Sequence, residues 1–252
     1  MFRTLIAKEL REQRRTHRML IIVAVLLVSG LISPLLAKYT PLILHSVPGI
    51  PPGMAALIPE ATIQDAFTQY FKNVSQFGLL LAIVLTMGVV AQEKERGTAA
   101  MLLTKPVRRS AVVLSKWLSG LLSLLAGLLL AALGAAFYTL VLFQPFSLLD
   151  FLAANVLLVI FLAFYMTLAL LASTLARSQS MAAVGAFGGL LLVLLLDALP
   201  VVGKYLPAQL LEWAGGIMSG NSAAAWAALA ATCGLILLFL GVACLRFERE
   251  EI

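Results

Sequence analysis

The sequence is short of charge. Asp, Glu, Lys and Arg make up 12% of its 252 residues, while 62% are hydrophobic. A water-soluble domain carries roughly 25% charged and about 45–50% apolar residues, so an ordinary soluble fold is excluded. Histidine is nearly absent too. His17 and His45 flank the first long apolar run, which excludes a Ser-His catalytic pair inside a bilayer and an HExxH zinc helix. The two cysteines, Cys233 and Cys244, lie eleven residues apart in one apolar run. On a helix that is roughly 16 Å of rise, too far for a disulfide. No Cys, His and carboxylate group together as metal ligands do, and no GxxxxGK[ST] loop is present to cradle a nucleotide. The chain is therefore expected to need no cofactor and to be no enzyme.

What it has in abundance is long apolar runs. A bilayer core about 30 Å thick needs roughly 20 apolar residues per helix. Six runs qualify: Met19–Ala37, Val74–Ala91, Trp117–Phe143, Leu152–Ala172, Met181–Val202 and Ala223–Leu245. The third rises about 40 Å as a helix and so protrudes or tilts. The expected architecture is all-α and polytopic, one transmembrane domain over residues 1–252 with six spanning helices. The first run is longer than a signal-peptide core and has no A-x-A site behind it, so it reads as a retained helix.

The net charge of +6 does not point to nucleic acid, because the basic residues follow topology. With both termini in the cytoplasm, only Lys38, Lys72 and Lys204 of the 18 Lys and Arg fall outside. That is the positive-inside pattern. It agrees with an even number of spans in the plasma membrane. Residues 1–18 set six basic side chains around a face of Phe2, Leu5, Ile6 and Leu10. A basic amphipathic helix of this kind lies in the headgroup plane of the lipid bilayer; a flexible leader that only fixes topology is the plainer alternative.

On the outside, Pro41, Pro48, Pro51 and Pro52 suit an irregular loop. Pro59 then opens IPEATIQDAFTQYFKN, where Ile63, Ala66, Phe67, Tyr70 and Phe71 recur at helical spacing. A short separate outer helix is expected there. A second is expected after the fifth run, opened by Pro207 and closed by Gly215 and Gly216. Gly120, Ser123, Gly127 and Gly134 line one face of the third run, and Gly185 and Gly189 form a GxxxG in the fifth. Small faces let helix backbones approach in lipid, so packing within the chain and a dimer contact at Gly185 and Gly189 both stay open. Asp197 is the one charge within a run. It reads either as an interfacial cap beside Pro200 or as a group on a substrate path. The spans hold no proton or sodium relay, and energy for transport must come from elsewhere.

The densest mixed charge sits in one cytoplasmic connector, QEKERGTAAMLLTKPVRR, Gln92 to Arg109. Gly97 suits the stop of a helix continuing the second span. Thr98 can cap a new helix, Pro106 ends it, and Ser110 can cap the third span. The result is a helix of about seven residues, too short to be stable alone. Met101, Leu102 and Leu103 must therefore pack on the membrane face or on a partner, with Glu93, Glu95, Arg96, Lys105, Arg108 and Arg109 as a charged rim that gives specificity more than affinity.

This stretch resembles the cytoplasmic connector between spans two and three of type-2 ATP-binding-cassette (ABC) transporter permeases. There an E-x-E-x-G-T is followed by a short apolar helix, a (T/S)-x-P-(V/I)-x-R turn and a lysine entering the next span. Glu93, Glu95, Gly97, Thr98, Leu102, Leu103, Pro106, Arg109 and Lys116 match. Six spans, an interfacial helix and an outer element before the last span resemble the family as well. The resemblance implies a permease, an exporter, that forms a dimer with a second copy. A separately encoded ATPase subunit would receive the connector as a coupling helix. A membrane scaffold docking a cytoplasmic partner is the alternative from another class; a secondary transporter is disfavoured by the missing mid-membrane charges.

Overall fold

The structure, a computed structural model, describes residues 2–46, 60–97, 108–221 and 223–250. Among them the chain is helical, with no strand. Near the amino terminus α1 (Phe2–Arg15) precedes α2 (Arg18–Ser46). Then come α3 (Ile63–Thr86), the short α4 (Ala91–Glu95), α5 (Arg109–Leu142), α6 (Leu148–Leu175) and α7 (Gln179–Asp197). A 3-10 turn at Gly203–Tyr205 leads to α8 (Ala208–Ser219) and α9 (Trp226–Glu248). Six stretches are long and apolar enough to cross a membrane: Arg18–Ile43, Ile63–Glu95, Arg109–Leu142, Leu148–Leu175, Gln179–Asp197 and Trp226–Glu248. Each corresponds to one of the six runs.

Several boundaries differ from the sequence expectation, each for a physical reason. Helix α2 does not give way to a loop at Pro41 but continues through Pro34 and Pro41 to Ser46. The hydroxyls just before each proline, Ser33 and Thr40, donate to the carbonyls of Ser29 and Leu36. They tie the turn where proline removes a donor, which is how spanning helices tolerate it. Pro48, Pro51, Pro52 and Pro59 lie outside the described residues.

The separate outer helix expected at residues 59–73 is instead the first three turns of α3. Thr62 and Asp65 form a reciprocal capping box, with Asp65 N–H to Thr62 Oγ1 at 3.3 Å and Thr62 N–H to Asp65 Oδ2 at 2.8 Å. The helix runs on without a breaker because its face is already buried. Ala66, Phe67, Tyr70, Phe71 and Val74 pack inward, Phe67 meets Phe146 and Phe151 at 5.0 and 5.5 Å between ring centroids, and Tyr70 donates to Asn155 at 2.7 Å. The second outer helix is present as α8, but it passes through Gly215 and Gly216 and stops at Gly220, whose φ of +72° is left-handed. Helix α5 begins at Arg109, with no side-chain cap from Ser110.

Helix α6 is the hub, and two-thirds of its apolar stretch is buried (67%). Helices α3, α7, α8 and α9 pack around it, while α2 lies along α5 and α3. The small-residue face of the third span does what lipid packing requires of it. Gly127 faces Ile22 and Leu26, Gly134 faces Leu27 and Leu31, and Gly30 of α2 comes against the Ala131 backbone.

Candidate functional site

Helix α4 has five residues, far below the length at which an isolated helix is stable. It persists through what its atoms reach. After α3 the chain turns at Met87–Val90, and the Ser173 hydroxyl of α6 accepts from the backbone N–H groups of Val90 (3.0 Å) and Ala91 (3.1 Å). These are donors that a helix start leaves free. Four successive side chains then bind four different elements. Gln92 accepts from Arg18 at the start of α2 (3.3 Å). Glu93 accepts from Lys116 of α5 (2.7 Å). Lys94 donates to the Thr174 carbonyl near the end of α6 (2.5 Å) and pairs with Glu250 beyond α9 (2.5 Å). Glu95 accepts the Gln179 N–H that opens α7 (3.0 Å).

The charges fit the helix ends they meet. Lys94 lies at the C-terminus of α6 and Glu95 at the N-terminus of α7. Arg109 donates to the carbonyls of Glu248 and Glu250 at the C-terminus of α9. Cations at C-termini and anions at N-termini are each favourable by about 0.3–1 kcal/mol at exposed positions. The root of the connector thus clamps the same end of α2, α5, α6, α7 and α9.

A second polar feature joins α1 to this root. Glu9 is buried (5% exposed) and so is Lys116 (5% exposed), although Lys116 stands within a spanning helix. Lys116 donates to both Glu9 oxygens at 3.3 and 3.2 Å as well as to Glu93. One turn further along α1, Gln13 donates to Ser119 (3.1 Å) and accepts from Ser123 (2.5 Å). Glu9 and Gln13 are four apart on α1; Lys116, Ser119 and Ser123 are three and seven apart on α5. Each set shares one helix face, so the contact is a polar seam. Lys8 flanks it, within 3.1 Å of Glu9, 3.4 Å of Glu12 and 3.8 Å of Glu93. Burial lowers the pKa of Lys8, but Glu9, Glu93 and Glu12 outweigh it and hold the group above its ordinary 10.5.

Three carboxylates, Glu9, Glu12 and Glu93, come within 4.8 Å of one another. Two ammonium groups already stand among them, so the cluster is a charge network and carries no metal assignment. The adjoining cavity, lined by Gln13, Arg18, Gln92, Ile22 and Leu124 among others, holds about 50 Å³. That is well under the roughly 300–1,000 Å³ of a ligand pocket.

The residues singled out in the connector therefore divide. Glu93, Glu95 and Arg109 each meet another helix of this chain, Glu93 and Arg109 half-buried and Glu95 still exposed. Arg96, Gly97 and Arg108 are exposed, and Gly97 ends α4 with a φ of +69° and its N–H on the Lys94 carbonyl, as its stop role requires. Thr98, Met101, Leu102, Leu103, Lys105 and Pro106 lie outside the described residues. On α1, Leu5, Ile6 and Leu10 are half-buried and Phe2 is exposed. The most buried residue of that helix is the acid Glu9, which sequence reasoning missed. A carboxylate and an amide four apart inside an apolar stripe were the available signal.

Residues 3–216 match the profile of the ABC-2 family transporter proteins. The chain belongs to the ABC-2 transporter family. It is also 28% identical over 254 residues to a protein of Bacillus subtilis (strain 168) described as uncharacterized transmembrane protein YxlG, a match covering 98% of this chain and 97% of that one. The ABC-2 permease is a multi-pass membrane transport subunit, of a family that works with ABC ATPases.

Two further groups in this permease were open. Gly185 and Gly189 face α6 of the same chain, where an added Cβ would meet Ala172 at 3.4 Å and Leu168 at 3.3 Å. Asp197 ends α7, and neither of its carboxylate oxygens reaches solvent or has a hydrogen-bond partner among the described residues. It caps nothing, and a carboxylate at a helix C-terminus has the wrong sign for the dipole. An unpaired buried polar group costs about 1–3 kcal/mol. Asp197→Leu is accordingly expected to raise stability by about that amount, read as a higher thermal unfolding midpoint in detergent. A midpoint unchanged or lowered would show that the carboxylate has a partner.

Proposed function

We propose that this chain is the membrane-spanning permease subunit of an ABC exporter, driven by a separate ATPase subunit that docks on the connector, residues 93–109. It works as a homodimer in the plasma membrane with both termini in the cytoplasm. The observation that carries this reading is the clamp at the connector root, where four successive side chains hold four elements. A partner that presses on the connector presses on the ends of several spans at once, and a partner that prefers one arrangement of those ends shifts the permease between two states. Exposed Arg96 and Arg108 flank the docking segment and supply charge for recognition.

The exposed basic residues Arg3, Arg11, Arg14 and Arg15 of α1 suit an anionic lipid surface. The second copy is placed against α7, the span this chain covers least, with 17% of its apolar stretch buried. Gly185 remains exposed there despite its approach to Ala172.

The test is assembly of the purified chain with a separately encoded ABC ATPase and a change in its hydrolysis on assembly. Reversing both exposed arginines, Arg96→Glu with Arg108→Glu, is expected to weaken docking about tenfold or more without changing the melting of the permease. If the wild-type chain assembles with no ATPase, or if the double reversal docks as the wild type does, the reading fails.

A further inference from the structure

We propose that Lys116 is a positioning residue that joins α1 to the connector, so that movement of the connector is delivered to α1 and α5 together. The inference rests on the docking role proposed above.

The argument begins at the break between α3 and α4. Residues 87–90 form a turn rather than continuous helix, and Gly88 stands in it. Left alone, this turn would let α4 swing without moving α3, and displacement of the connector would be lost there. Two things oppose that loss. Ser173 fixes the far side of the turn to α6 through two N–H groups. Lys116 fixes the side chain of Glu93, and the same ammonium holds Glu9 of α1. The three groups come from three elements, separated by 23 and 107 residues in sequence, and the two that α5 and α1 contribute are almost wholly buried. Lys8 adds a weaker bridge of the same kind between α1 and Glu93, with its ammonium half-exposed.

Geometry makes the link directional. Gln13 anchors α1 on Ser119 and Ser123 further down α5, so α1 is held to α5 at two points along one face. Glu93 joins at the upper point, through Lys116. A pull on Glu93 therefore acts on the top of the α1–α5 seam, and α1 follows because its own carboxylate is on the same ammonium. The basic outer side of α1 then carries the displacement to the membrane surface. Removing Glu9 leaves the Lys116–Glu93 pair in place and takes away the buried link of α1 to that ammonium, so that α1 keeps only the weaker Lys8 bridge to Glu93 and the Gln13 contacts with α5.

The experiment uses the full chain in lipid nanodiscs with its ATPase. It reads ATPase binding, the permease-dependent change in hydrolysis, and hydrogen exchange of the α1 amides with and without a non-hydrolysable ATP analogue. The wild-type complex is expected to show α1 exchange that responds to the analogue. Glu9→Met should reduce that response severalfold, with Lys8 carrying what is left, and cut the hydrolysis change about fivefold or more, with ATPase binding unchanged. Lys116→Arg, which keeps a donor for both carboxylates, should retain wild-type behaviour. The fully neutral variant Glu9→Met, Glu93→Gln, Lys116→Met removes the network without leaving a lone charge and should lose the α1 response likewise; because Glu93 belongs to the docking connector, it is read by α1 exchange alone.

The inference is overturned if Glu9→Met and the neutral variant both keep the wild-type α1 response, and equally if Glu9→Met loses ATPase binding along with its α1 response and hydrolysis change, which would make the seam a folding element only. Those outcomes leave the docking role standing. Failure of the wild-type chain to bind an ATPase removes the docking role itself.

Discussion

Lys116→Met is expected to destabilise the fold by about 3–5 kcal/mol, the usual cost of breaking a buried charge pair from one side. Three features put it at the top of the range for a single side chain. The ammonium is almost wholly buried. It serves two carboxylates at 2.7 and 3.2 Å, so its loss takes the buried cation from both at once. It stands near the start of a spanning helix, covered by α1, where a stranded charge is shielded from water. The flanking Lys8 can compensate Glu9 in part, which keeps the estimate from rising further. The neutral triple variant Glu9→Met, Glu93→Gln, Lys116→Met should recover most of the loss, because replacing a whole buried network by groups of similar volume is often close to neutral. Thermal unfolding in detergent measures both. A single variant as stable as the wild type would show that the network contributes little.

The six spans were legible because a bilayer imposes one requirement, about 20 apolar residues in sequence, and the chain meets it six times. The separate helix before Arg18 and the stop at Gly97 were legible for similar local reasons. Boundaries went astray where tertiary packing overrode local punctuation. Pro41 reads as a loop residue, yet Ser33 and Thr40 keep α2 helical around its prolines. The stretch around Phe67 and Tyr70 reads as a surface helix, yet those rings pack among Phe146 and Phe151, and the helix simply continues.

The candidate site was legible only in composition. EKE before a glycine announces charge at a helix end, and a partner is the natural target for a charged rim of this kind. The sequence cannot say that Glu93 points to a lysine in the next span while Glu95 points to the start of α7. That information lies in contacts 23 and 84 residues apart. Lys116 itself entered the reading as a motif match and a positive charge. Its sequence context, a lysine directly ahead of an apolar run, did carry a signal, since a cation at that depth demands a counter-charge. The acid opposite it, Glu9, lies within the stripe that Leu5, Ile6 and Leu10 mark, and apolar spacing alone does not single out a carboxylate there.

Gly30→Val is expected to be the most damaging change at an apolar position. A Cβ built at Gly30 would fall beside the backbone carbonyl oxygen of Ala131, with the Ala131 Cα only 2.7 Å away. The obstacle is backbone on backbone, so no rotamer relieves it and the two helices must separate. Even Gly30→Ala should cost about 1–3 kcal/mol, the ordinary cost of overpacking, and valine more. The consequence spreads because α2 and α5 share the most extensive helix contact in the fold, and the Gly127 and Gly134 approaches lie along the same line. Gly234→Ala and Gly241→Ala, both on α9, form the control set, with nothing within 4 Å of the added carbon. In that helix alanine should be neutral or stabilising by roughly 0.5–1 kcal/mol. Thermal midpoints of the purified variants decide the matter. Separation of the Gly30 variants from the control set is expected, and equal melting across all of them would mean that α2 and α5 do not approach as closely as their glycines permit. The same approach bears on α1, because α2 follows it after two residues and α5 holds Glu9 and Gln13. A wedge at Gly30 that shifts α2 against α5 should therefore also raise hydrogen exchange in α1, linking the small-residue face in the membrane to the polar seam at its edge.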